Sequence, residues 1–105
     1  MRQQIRDQLK AIHHRVLSKM GTVPGSIDDL SFCTIGLAGE VGEFANLVKK
    51  SMRGDPISLR DFRGELADIR VYYDLILYIL ELDEELIVEE KLRELMRRRP
   101  DWFHD

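Results

Sequence analysis

The sequence predicts an all-α protein: an antiparallel bundle of about four helices forming a single domain over residues 1–105. Three observations predict it. Apolar residues recur at helical spacing, no segment alternates as a strand does, and Ser, Asp, Gly and Pro divide the chain at regular intervals. A chain of 105 residues can bury one core but is marginal alone. With 44% hydrophobic residues, many of them large aliphatics, it is expected to complete its core as a homodimer or homotetramer.

Residues 3–19 form the first amphipathic helix, with Ile5, Leu9, Ile12, Val16 and Leu17 on its apolar side. Gly21-Thr22-Val23-Pro24-Gly25 breaks it, and Ser26 with Asp29 three residues later has the form of a capping box. The second helix then starts at about Asp28 or Ser31 and runs to Met52. Gly36, Gly39 and Gly42 each cost it roughly 1 kcal/mol against Ala, so their i, i+3, i+6 spacing suggests close packing by a helix or a ligand. Gly54-Asp55-Pro56 ends this helix, and Ser58 with Asp61 caps a third that reaches about Leu82. Past its first two turns the third helix is apolar nearly all round, which predicts that it is central and covered on several sides. Asp83 caps a fourth helix, with Glu84 and Glu85 in its first turn and Arg97, Arg98 and Arg99 in its last, before Pro100.

Charge and composition exclude several classes. A formal charge of −3 argues against a general nucleic-acid binder, which favours a basic domain. The longest apolar run, Leu75 to Leu80, is too short to span a bilayer, and residues 1–20 are charged and amphipathic rather than a signal sequence. The single cysteine, Cys33, precludes an internal disulfide and fits a cytoplasmic location; its apolar neighbours make it a buried structural thiol.

Two acidic pairs carry the functional signal. Glu40-Val41-Gly42-Glu43 and Glu65-Leu66-Ala67-Asp68 each place two carboxylates on one helical face. Neither has a basic neighbour at helical spacing to neutralise it. Both lean toward apolar stripes, where a carboxylate is costly unless it is paired, protonated or bound to metal. Glu43 and Glu40 lie 11 and 14 residues before Gly54, and Glu65 and Asp68 lie 11 and 14 after it. Antiparallel helices joined near that glycine therefore bring the four carboxylates to a similar height. Hard oxygen donors of this kind suit Mg²⁺ or Mn²⁺.

The segment Gly36-Leu37-Ala38-Gly39-Glu40-Val41-Gly42-Glu43, followed after a 21-residue spacer by Glu65-Leu66-Ala67-Asp68, resembles the MazG-type all-α nucleoside triphosphate pyrophosphohydrolases. Their pattern is ExxE, a spacer, then ExxD, and the likeness covers about residues 30–98. It continues through the apolar run Ile69-Arg70-Val71-Tyr72-Tyr73-Asp74-Leu75, as in small phage-type members, to Lys91 and Arg98. Where the family often has an Asn soon after the lysine, this chain reads Leu92, Arg93, Glu94 and Leu95. The resemblance implies a Mg²⁺-dependent enzyme in which water attacks the α-phosphorus of a (d)NTP, releasing monophosphate and pyrophosphate. It implies Glu40, Glu43, Glu65 and Asp68 as metal ligands, one glutamate doubling as base, with Lys91 catalytic.

Lys49, Lys50, Arg53 and Arg98 are the further candidates for gripping phosphates. Phe32, Tyr72, Tyr73 and Trp102 read as core or interface rather than as base-stacking residues, and adjacent His13 and His14 point apart on a helix and make no metal motif. The missing ExxH argues against a di-iron bundle. A second functional class fits the same helices: a non-catalytic module that binds nucleotide or a partner protein.

Overall fold

The computed structural model describes residues 2–104, and these form four α-helices with no strand among them. They are α1 (Gln3–Met20), α2 (Ile27–Met52), α3 (Leu59–Ile79) and α4 (Glu84–Arg98), followed by a single 3₁₀ turn at Pro100–Trp102. The predicted all-α class and the order of the elements are both met.

Side-chain caps set the helix starts. The Ser26 hydroxyl accepts from the Asp29 amide, Ser58 and Asp61 form a reciprocal capping box, and Asp83 accepts from the Leu86 amide. Asp29 departs from the expected box, because its carboxylate turns to the Gly25 amide and to His13 instead. Three helices end alike, with a left-handed residue and paired amide-to-carbonyl bonds that close the last turn. At α1 and α2 the left-handed residue is glycine, Gly21 at φ 70° and Gly54 at φ 92°. At α3 it is Glu81 at φ 55°, whose turn bonds to Tyr78 and, through Leu82, to Leu77. That closure ends α3 at Ile79, short of the predicted Leu82.

Contacts between α2 and α3 run in opposite directions along the two chains. Phe44 meets Phe62 edge-on at 5.7 Å, Glu40 meets Glu65 and Asp68, and Tyr72 covers Gly36. The two helices are therefore an antiparallel hairpin, as the spacing about Gly54 requires. Gly36 is the glycine at which the expected close packing occurs, since a Cβ there would overlap the Tyr72 ring. Gly39 and Gly42 face open space, so the close approach is confined to one turn.

The other two helices join this hairpin more narrowly. Helix α1 crosses the end of α3, where Lys10 Nζ lies 3.9 Å from the centre of the Tyr78 ring. Helix α4 is tied back by Arg70, which binds Asp74 on α3 and donates to Glu84 at 2.6 Å. Among the described residues the buried hydrophobic side chains are Leu17, Cys33, Leu75 and Leu77. The expected cover over α3 is thus complete only at Leu75 and Leu77 near its C-terminal end, while Leu66, Tyr78 and, just past the helix, Leu80 remain exposed. The radius of gyration is 17.3 Å, against about 13 Å for a compact domain of this length.

Candidate metal centre

The antiparallel register brings Glu40, Glu65 and Asp68 together, with one donor oxygen from each within 4.8 Å of the others. Glu40 and Glu65 are half-buried and Asp68 is exposed at the rim. Glu43 does not join this close set. It lies one turn further along α2, exposed, yet near enough for its charge to act on Glu40.

The electrostatics are those of an uncompensated cluster. Glu40 is held above the ordinary carboxylate range by burial, by a hydrogen bond with Glu65, and by the charges of Asp68, Glu65 and Glu43. One oxygen of Glu65, Oε2, is buried with no hydrogen-bond partner. Among the described residues no Lys or Arg forms an ion pair with any of the four carboxylates. A buried orphan acceptor between like charges is a destabilising arrangement unless a cation occupies it.

The basic candidates are placed differently. Lys49 and Lys50 sit in the last turn of α2, Lys49 exposed and Lys50 half-buried, and Arg53 Nε donates to Asp55 at 2.8 Å just beyond. Lys91 and Arg98, both exposed on α4, share Glu94 at 3.2 and 3.6 Å. Those two bonds hold Glu94 below the usual carboxylate range, the Lys91 hydrogen bond first. The structure therefore unites three of the four carboxylates and leaves the basic residues on their own helix surfaces. Three aromatic candidates are half-buried, with Phe32 edge-on to Tyr72 at 6.5 Å and Arg70 over Tyr73 at 5.8 Å, whereas Trp102 is exposed with Arg99 over its ring at 4.5 Å.

A second cluster escapes the sequence reading. His13 from α1 and Asp29 and Cys33 from α2 are all buried, with His13 Nε2 donating to Asp29 Oδ1 at 2.6 Å. Cys33 Sγ stands 3.6 Å from each of those two atoms. The sequence held two clues, the i, i+4 spacing of Asp29 and Cys33 and the place of His13 on the stripe between Leu9 and Leu17. The buried setting expected for Cys33 is met, and burial, followed by the charge and hydrogen bond of Asp29, pushes its thiol up to about 12. It is accordingly not a nucleophile at neutral pH.

A cavity of about 700 Å³ opens between α1, the end of α3 and the start of α4, lined in part by Arg6, Lys10, Asp74 and Glu84. It contains none of the four carboxylates.

Fold and site together define an all-helical protein that carries an acidic cluster between two antiparallel helices. The chain is 34% identical over 79 residues to the Gene 37 protein of Mycobacterium phage L5, a match covering 70% of this chain and 69% of that protein, and it belongs to that protein's family. No family model matches the chain, and no solved structure matches it.

Proposed function

We propose that this protein is a divalent-metal-dependent nucleotide pyrophosphohydrolase of the MazG type, converting a (d)NTP to its monophosphate and pyrophosphate. The observation that carries the metal site is the buried, unpartnered Glu65 Oε2 in a cluster that brings one carboxylate oxygen each of Glu40, Glu65 and Asp68 within 4.8 Å of one another. The reaction class rests on the resemblance of the ExxE and ExxD segments and their spacing.

The donor set fits Mg²⁺ or Mn²⁺, since it is made of carboxylate oxygens alone and lacks compensating cations. Glu40, Glu65 and Asp68 would hold the ion, which supplies charge neutralisation for phosphate oxygens and acidifies a nearby water. Glu43 stands outside that set and is free to accept the proton of the attacking water. Lys91 and Arg98 would exchange Glu94 for a phosphate, because exposed ion pairs of this kind hold by no more than about 1 kcal/mol. Lys49, Lys50 and Arg53 offer a second basic group at the end of α2.

The working form is a homodimer or homotetramer. Ile35, Val41, Val48 and Leu66 on the α2–α3 hairpin, and Leu86, Leu92 and Met96 on α4, are exposed in the single chain. A second copy covers such faces and brings the radius of gyration per unit mass toward that of a compact protein. Sedimentation is expected to show a dimer or tetramer at micromolar concentration, and a folded monomer there would remove this part of the proposal.

The activity is tested by incubating the protein with a panel of NTPs and dNTPs and Mg²⁺ and resolving the products. Monophosphate and pyrophosphate in equal amounts are expected. Release of orthophosphate with a diphosphate would assign a different bond. Nucleotide binding without turnover would favour the non-catalytic module.

A further inference from the structure

We infer that His13, Asp29 and Cys33 form a second metal site, distinct from the carboxylate cluster and selective for a borderline-soft ion such as Zn²⁺. The inference does not depend on the proposed hydrolase activity. Three different ligand types are gathered from two helices into a buried space. All three side chains are at least nine-tenths buried, His13 at 6%, Asp29 at 1% and Cys33 at 0% exposure.

The spacing of the donors matches tetrahedral coordination on two of three edges. Bonds of about 2.3 Å to sulfur and about 2.0–2.1 Å to nitrogen and oxygen give tetrahedral edges of about 3.6 Å to sulfur and about 3.3 Å between nitrogen and oxygen. Cys33 Sγ already stands 3.6 Å from His13 Nε2 and 3.6 Å from Asp29 Oδ1. Only the His13–Asp29 edge is short, 2.6 Å, because a proton bridges it. Metal binding would release two protons to solvent, the one bridging His13 and Asp29 and that of the Cys33 thiol, and requires an opening of about 0.7 Å on this one edge.

The surroundings already orient the ligands. Asp29 Oδ2 accepts from the Gly25 amide at 2.8 Å, which leaves Oδ1 aimed at the other two groups. The His13 ring lies stacked on Phe32 with centroids 6.1 Å apart. Outer contacts of this sort fix the direction of a metal ligand. Thiolate and imidazole select Zn²⁺ over Mg²⁺, so the two clusters would sort their ions by ligand chemistry. Among the described residues no fourth His, Cys, Asp or Glu joins the three, which leaves the fourth position to a solvent molecule. Occupancy would staple α1 to the start of α2, where α1 is otherwise joined to the hairpin through few groups.

The test is a Co²⁺ titration of the metal-free, reduced full chain in excess Mg²⁺, followed by optical absorption. One equivalent is expected to produce a thiolate-to-cobalt charge-transfer band and tetrahedral visible bands, both abolished by added Zn²⁺. Cys33→Ser should lose the charge-transfer band and His13→Gln should bind roughly tenfold or more weakly, with folding checked by circular dichroism. Should Cys33→Ser not fold, His13→Gln carries the comparison. Glu65→Gln should leave the bands intact. Absence of the charge-transfer band in wild type, or its persistence in Cys33→Ser, would overturn the site and leave the cluster as a proton-bridged clamp between helices.

Discussion

The two clusters of ionisable groups in this molecule are built on opposite terms. At His13, Asp29 and Cys33 each acceptor meets a donor: Asp29 receives an imidazole, a thiol and a backbone amide. At Glu40, Glu65 and Asp68 there are acceptors and almost no donors, with one buried oxygen left alone and one carboxyl forced above its usual range. The first can persist without any ion, because shared protons already satisfy it. The second stores repulsion that a bound cation would relieve. Burial and unmet electrostatic demand therefore fall at different places here: the more exposed of the two clusters is the one that carries the demand.

The largest effect that separates them is on turnover. Glu65→Gln, Asp68→Asn or Glu40→Gln should each lower pyrophosphate release by roughly 10²–10⁴-fold while the helical circular dichroism spectrum is kept. Amides at carboxylates with no functional role would change stability by only about 0.5 kcal/mol and leave activity alone. Cys33→Ser, at the satisfied cluster, should affect stability far more than turnover.

Metal dependence of stability comes next in size. Mg²⁺ or Mn²⁺ at a hundred times its Kd should stabilise the fold by roughly 2.7 kcal/mol, seen as a rise in Tm. Glu65→Gln should abolish most of that rise. An equal response in wild type and variant would place the ion elsewhere.

A smaller effect sharpens the electrostatic difference. Glu40 has a raised pKa in the folded state, so the folded protein binds a proton there more tightly than the unfolded chain. In metal-free buffer its ionisation destabilises the fold at neutral pH, and that penalty disappears as pH falls through the raised value toward the ordinary one. Glu40→Gln should therefore be more stable than wild type at pH 7, with the gap closing on acidification. Denaturation at several pH values measures it, and a gap independent of pH would contradict the shared-charge account.

The smallest expected change is at Lys91→Ala. Its exposed pair with Glu94 contributes no more than about 1 kcal/mol to the fold, so Tm should hardly move. If the lysine meets phosphate as a point charge, the loss appears mainly in KM. Unchanged KM would leave Lys91 as a partner of Glu94 alone.

Much of the fold was legible because its signals are local. Ser26, Ser58 and Asp83 announce helix starts through their own side chains, and Gly21 and Gly54 announce ends through the left-handed backbone they permit. The convergence of Glu40 with Glu65 and Asp68 followed from equal distances about Gly54, a property of any antiparallel pair. What local signals miss is contact across the chain. His13 meets Asp29 only because α1 lies against α2, 16 residues on, and nothing in the adjacent His14 hints at it. Glu81 adopts a left-handed turn that its side chain does not favour, so the end of α3 could not be read to the residue. Gly39 and Gly42 looked like Gly36 in sequence, yet only Gly36 lies under Tyr72.

The central claim is that Glu40, Glu65 and Asp68 together hold a divalent cation, and Mn²⁺ binding followed by electron paramagnetic resonance tests it most directly. Free Mn²⁺ gives a sharp signal that is lost on binding, with no need for substrate or turnover. Wild type should remove Mn²⁺ saturably and release it to excess Mg²⁺, whereas Glu65→Gln, folded by circular dichroism, should leave the free signal nearly unchanged. Equal, saturable depletion of the signal by wild type and Glu65→Gln would contradict the account.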